Sequence, residues 1–185
     1  MFMKIKTEEL IFDLIERTKL NFNKAERLKS VSIKKLNSRP SAESWSALEC
    51  LEHLNLYGDF YLPEIRNRIK KSKYQPEEFF YSGLLGNYFS KSMLPKENLK
   101  KMKTFKDKDP IGSQLELSTL KRFLEQQKAL LELLELSKNV SLNKTKTAIS
   151  ISRFIKLKLG DTFRVLVYHN QRHLIQAQKA LEPKI

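Results

Sequence analysis

Cysteine, histidine and glycine are all scarce in this 185-residue chain, and long apolar runs are missing. A single cysteine, Cys50, excludes an intramolecular disulfide and a Cys-x-x-Cys structural zinc site, and it fits a reducing compartment. With 5 glycines, and apolar patterns of helical rather than alternating period, the chain reads as helical. No stretch approaches the roughly 20 apolar residues of a membrane-spanning helix. The start, Met1-Phe2-Met3-Lys4-Ile5-Lys6, has no apolar run long enough for a signal peptide. The expectation is a soluble cytoplasmic protein without a membrane partner, most simply one domain over residues 1–185.

Acidic charge is the minority: 21 Asp and Glu face 35 Lys and Arg, for a net charge of +14. Residues 91–108 hold seven Lys and two acids, and residues 137–160 hold six Lys or Arg and no acid. Both segments read mainly as connections between helices, where lysines chiefly serve solubility. They also leave open an anionic substrate or, less favoured, a nucleic-acid partner.

Thr7 reads as the N-cap of a first helix, followed by Glu8 and Glu9 at the positive end of its dipole. Ile11, Leu14, Ile15, Phe22, Ala25 and Leu28 form its buried stripe, and Asn37-Ser38-Arg39-Pro40 breaks it. Ser46-Ala47-Leu48-Glu49 is a capping box that opens a second helix to about Lys73, with Trp45 before it and Pro63 expected to kink it. Residues 74–112 contain three prolines and many aromatics, and suggest short helical fragments in a connection that serves or covers a site. Ser113-Gln114-Leu115-Glu116 reads as another capping box, opening a helix to about Asn139. Residues 145–159 alternate loosely, as extended chain packed over a bundle would. Gly160-Asp161 then starts a last helix with Phe163, Leu166, Val167, Leu174, Ala177 and Leu181 inward. Four long amphipathic helices with one long crossover connection describe an all-α four-helix bundle.

The only histidines are His53, His169 and His173. The last two are four residues apart, so on a helix their rings share one face. That spacing suits two ligands of one ion, although it also arises by chance on surface helices. The pair aligns with Leu166 and Ala177, beside the buried stripe, where imidazoles without partners are costly. Asn170 stands where the glutamate of a His-Glu-x-x-His zinc-protease motif would be.

The stretch Pro40-Ser41-Ala42-Glu43-Ser44-Trp45-Ser46-Ala47-Leu48-Glu49-Cys50-Leu51-Glu52-His53-Leu54 resembles the N-terminal signature of the DinB-like superfamily. Leu159-Gly160-Asp161-Thr162-Phe163, then Tyr168-His169-Asn170-Gln171-Arg172-His173-Leu174-Ile175-Gln176, is similar to its C-terminal one. The matched stretches cover about 30 residues. This family is distinct from the DNA polymerase of the same historical name. The resemblance implies a four-helix bundle of up-down-down-up order, with metal ligands at His53, His169 and His173. Its members with known chemistry are bacillithiol or mycothiol S-transferases and a mycothiol-dependent isomerase.

Three neutral imidazoles leave a divalent ion (Zn, Ni, Fe, Co or Mn) its full charge and an open position, where water or a low-molecular-weight thiol is activated. Helical spacing places Gln176 on the face of His169 and His173, and puts Glu49 four residues before His53 and Tyr57 four after. Two readings of these residues stand: Glu49 or Glu52 fixes an imidazole tautomer and Tyr57 bonds a metal-bound ligand, or Glu49 serves only as a cap and Tyr57 as a wall. Arg172 points away from the ligand pair by helical angle, toward a neighbouring acid; Trp45 and Cys50 read as packing residues.

The leading expectation is a metal-dependent thiol S-transferase or hydrolase acting on small electrophiles. The alternatives are a nucleic-acid or anionic-partner module using the basic loops 91–108 and 137–160, in which Lys100, Lys101 and Lys103 would matter most, and a stress-linked homodimer scaffold with a structural metal.

Overall fold

The Ser46 capping box forms as its sequence predicts. In the computed structural model, which describes residues 3–95 and 104–182, Ser46 Oγ accepts the Glu49 amide at 3.1 Å and a Glu49 carboxylate oxygen accepts the Ser46 amide at 2.8 Å. The long helix that follows, Ala47–Lys71, runs through Pro63 without a break.

Other helix starts depart from expectation. A short strand β1 (Lys4–Lys6) pairs antiparallel with β2 (Phe79–Tyr81), and helix α1 (Thr7–Glu26) leaves it directly. Thr7 is therefore not the cap: its hydroxyl donates to the Glu77 carbonyl at 2.6 Å and its amide to the Glu78 carbonyl at 2.8 Å. Helix α1 also ends well before Pro40. A 3-10 turn (Arg27–Ser30) and extended Val31 intervene before the short α2 (Ile33–Leu36), whose N-cap Ser32 accepts the Lys35 amide. Serines flanking a β-branched residue favour such a break, because their hydroxyls compete for backbone groups. The long helix from Ala47 is thus α3.

Between α3 and the next long helix lie β2, helix α4 (Leu84–Met93) and a 3-10 turn (Lys106–Lys108), the short fragments expected there. Helix α5 (Leu117–Leu136) then starts without a capping box. Residues 113–116 remain extended because Asn37 grips Leu115 from both sides, donating to its carbonyl at 2.8 Å and accepting its amide at 3.2 Å. Two strands follow, β3 (Lys146–Ile149) and β4 (Ser152–Lys158), paired antiparallel with an irregularity near Ile149. This is the extended chain anticipated for residues 145–159. Thr147, Ile149 and Leu157 are buried, and the Ala148 amide donates to Glu64 on α3 at 2.8 Å. The last helix, α6, spans Leu159–Ala180.

The protein is an all-α bundle in which α1 and α3 each pack against both α5 and α6, while α4 lies against α6. The apolar interior falls into two clusters. One gathers Leu10, Leu14, Ile65, Phe80, Leu133 and Phe163; the other gathers Leu36, Leu48, Leu51, Phe123, Leu124 and Leu174. Along α6 the first cluster runs to Tyr168 and the second resumes at Leu174, with the histidine pair between them. Along α3 the second cluster holds Leu51 and Leu54 on either side of His53.

Basic residues of the 137–160 segment are partly engaged internally. Lys138 pairs with Glu135, Lys144 lies 3.9 Å from Glu77, and Lys158 donates to the Tyr81 carbonyl at 2.6 Å. Lys100, Lys101 and Lys103 lie outside the described residues. Among the described residues no helix is long and apolar enough to cross a membrane.

Candidate metal centre

Helix α6 carries His169 and His173 on one face, one turn apart, and α3 brings His53 against them. The ring centroids are 4.6 Å apart for His169–His173, 4.6 Å for His53–His173 and 5.0 Å for His53–His169. One ring nitrogen from each lies within 4.8 Å of the others, close enough to ligate one ion. The Nε2 atoms of His53 and His169 are 3.2 Å apart. His53 and His169 are buried, and His173 is partly exposed.

Second contacts orient two of the rings. His53 Nδ1 lies 2.7 Å from the Lys108 carbonyl, which can only accept. The His53 proton therefore sits on Nδ1, and Nε2 keeps a lone pair facing the other histidines. His173 Nδ1 lies 2.8 Å from Gln176 Oε1, the partner that helical spacing singled out. Such outer partners set a ligating imidazole's tautomer and orientation.

The electrostatics favour uncharged rings. Burial pushes His53 down to about 4, against a smaller opposing effect of the Lys108 carbonyl. Burial, aided by His53, pushes His173 down to about 3 despite its Gln176 contact. His169 lies well below the ordinary histidine value because it is buried and has both other rings beside it. Neutral imidazoles are the form that ligates metal. The donor set, three imidazoles with neither thiolate nor carboxylate, suits a borderline divalent ion and leaves coordination positions open.

Aromatic rings line the cluster. Tyr57 packs on His53 and His169, with centroids 5.0 and 4.8 Å away. Burial pushes its phenol up to about 12, so the hydroxyl remains a proton donor at neutral pH. Trp45 packs on His53 at 4.7 Å and His173 at 5.6 Å, and its indole N–H donates to Asp109 at 3.0 Å. Trp45 thus packs against the second apolar cluster, as its sequence suggested, and is also a wall of the site.

The proposed tautomer-setting glutamates are occupied elsewhere. The Glu49 carboxylate takes the Ser46 amide, Arg39 and the Gly112 amide, and Glu52 pairs with Arg122 at 3.3 Å. A backbone carbonyl from a distant segment does that work instead. Residue type does not mark such a group, since every residue has a carbonyl, so no sequence signal pointed to Lys108. Arg172 reaches the Ser92 carbonyl at 3.4 Å at the end of α4. Cys50 is fully buried in the apolar interior, and burial pushes its thiol up, as befits a packing residue.

A sequence model described as the DinB superfamily matches residues 23–177, a span that contains all three histidines. No curated protein and no solved structure matches the chain.

Proposed function

The chain belongs to the DinB superfamily, and from that premise we propose that His53, His169 and His173 hold one divalent metal ion in a site that joins a low-molecular-weight thiol, or water, to a small electrophile. The observation that carries this reading is the convergence of three histidine ring nitrogens within 4.8 Å of one another in a chain with no other histidine. When bound, the ion supplies Lewis acidity at an open position, favouring the anionic form of a thiol or water at neutral pH. The Lys108 carbonyl and Gln176 keep two of the rings in register for that task. Trp45 and Tyr57 supply an apolar wall that limits water around an electrophilic carbon. The Tyr57 ring packs on His53 and His169, and in this reading its hydroxyl, protonated at neutral pH, donates a hydrogen bond to a ligand lying against the histidines. Approach is from the His173 and Trp45 side, where both residues retain partial exposure.

Elemental analysis of untagged protein tests the metal. The expected result is close to one divalent ion per chain, lost in His53→Ala and in His169→Ala. Thiol consumption against a small alkyl halide, compared with halide hydrolysis in the absence of thiol, then separates transferase from hydrolase. Retention of metal by both alanine variants would remove the basis of the reading.

A further inference from the structure

Residues 108–112 run along the N-terminal half of α3 as a strap, fastened at three points. The Lys108 carbonyl lies on His53 Nδ1 at 2.7 Å. Asp109 accepts the Trp45 indole N–H at 3.0 Å, and the same oxygen accepts the Ile111 amide at 3.1 Å. The Gly112 amide donates to Glu49 at 2.6 Å, from a backbone with φ of +87° that favours glycine.

Glu49 is fully buried, and its carboxylate joins three pieces of chain. It completes the capping box of the helix that carries His53, and it takes Arg39 at 3.0 Å from the preceding loop. It also holds the far end of the strap. Because the peptide unit is planar, the Lys108 carbonyl and the Asp109 amide move as one body. Asp109, the next residue, and Gly112, three further on, are both pinned, and holding the chain that leaves Lys108 sets where that carbonyl points.

We propose that Asp109 and Glu49 are positioning residues for the His53 ligand: by holding the strap they keep the Lys108 carbonyl on His53 Nδ1, and the Nε2 lone pair aimed at the point shared with His169 and His173. This rests on the metal-site reading above. The two residues lie 60 apart in sequence and neither hydrogen-bonds a histidine nitrogen, so they act on the ring through the strap, with Asp109 adding only its charge.

Two measurements on the full-length protein test it. Two-bond 1H–15N spectra of metal-free, histidine-labelled protein report which His53 nitrogen is protonated. Competition with a chromophoric chelator reports Zn(II) affinity. In Asp109→Ala, His53 is expected to become a mixture of tautomers and Zn(II) affinity to fall about 10-fold, the low end for an outer partner of a metal ligand. Asp109→Asn, which retains an acceptor oxygen for the indole, is expected to restore both. Glu49→Gln should act the same way, but it disturbs a buried ion pair. Trp45→Phe therefore serves as the second variant, because it keeps an aromatic ring at the site while removing the N–H together with part of the indole.

Wild-type affinity and an Nδ1-protonated His53 in both Asp109→Ala and Trp45→Phe would overturn the proposal. So would a loss of affinity with the tautomer unchanged, since the strap would then act only as a cover. Absence of Zn(II) binding in the wild type would instead overturn the metal-site reading, and the tautomer spectra would still decide the strap.

Discussion

Helix α6 carries two buried polar clusters about two turns apart, and they solve the problem of burial in opposite ways. At its first turn, Asp161 and Arg164 pair at 3.1 Å with almost no exposure. Asp161 also accepts the Ser82 hydroxyl and the Gly83 amide, and Arg164 donates to Ser82 at 2.8 Å. The fit is close enough that a β-carbon on Gly86 would fall 2.3 Å from the Asp161 side chain. Opposite charges and hydrogen bonds satisfy most of this cluster from within, leaving only the buried Arg164 Nε without a hydrogen-bond partner. Further along, His53, His169 and His173 gather three groups of the same kind, all held below their usual basicity, with ring nitrogens converging on one point. A buried pair of opposite charges neutralises itself, whereas three like groups of lowered basicity, with ring nitrogens within 4.8 Å of one another, form a cluster that could hold a metal ion.

That contrast can be broken from either side. Among the substitutions the largest effect is expected from Arg164→Ala, which leaves a buried carboxylate without its ion-pair partner. The expected loss is about 3–5 kcal/mol of unfolding free energy by urea titration, with metal affinity unchanged in the fraction that remains folded. Next comes addition of Zn(II) at 100 times its dissociation constant, expected to stabilise the wild type by about 2.7 kcal/mol in a thermal melt. His169→Ala should show none of this gain, whereas an Arg164→Ala protein that still folds should keep it.

Acid should act on the histidine cluster of the metal-free protein. Folded His53 and His173 take up protons only near pH 4 and 3, whereas in the unfolded chain they do so near 6.5. Above that value both states are neutral and the two rings contribute no pH dependence. As pH falls below it, the unfolded state binds more protons, so stability declines, approaching about 1.4 kcal/mol per pH unit for each ring. His53→Gln should flatten the decline measured by denaturant titration between pH 6.5 and 4. The smallest effect is expected from Ser82→Ala, about 1 kcal/mol of stability through lost hydrogen bonds, with no change in Zn(II) affinity. Any sizeable change in that affinity would show that the two clusters are coupled along α6.

Much of the site was legible before folding. The four-residue spacing of His169 and His173, the further three to Gln176 and the Ser46-to-Glu49 box are all relations within one helical turn, and each is found in the structure. Cap signals failed where a distant segment claimed the capping group or its surroundings. Thr7 is taken by the Glu77 carbonyl, and the residues after Ser113 are held extended by Asn37. Glu49 has the same helical relation to His53 that suggested a tautomer role, yet Arg39 and Gly112 occupy its oxygens.

By itself the sequence determines which helices form, which of their faces are apolar, and that two imidazoles share one face, because these follow from backbone periodicity and near-neighbour contacts. Only the tertiary structure decides that His53 meets that pair, that the Lys108 carbonyl sets its proton, and that Trp45 closes the wall. His53 meets Lys108, His169 and His173 across 55, 116 and 120 positions, and Trp45 packs on His173 from 128 positions away. No local rule encodes them; they arise from where α3 comes to rest against α6 and where the strap crosses it.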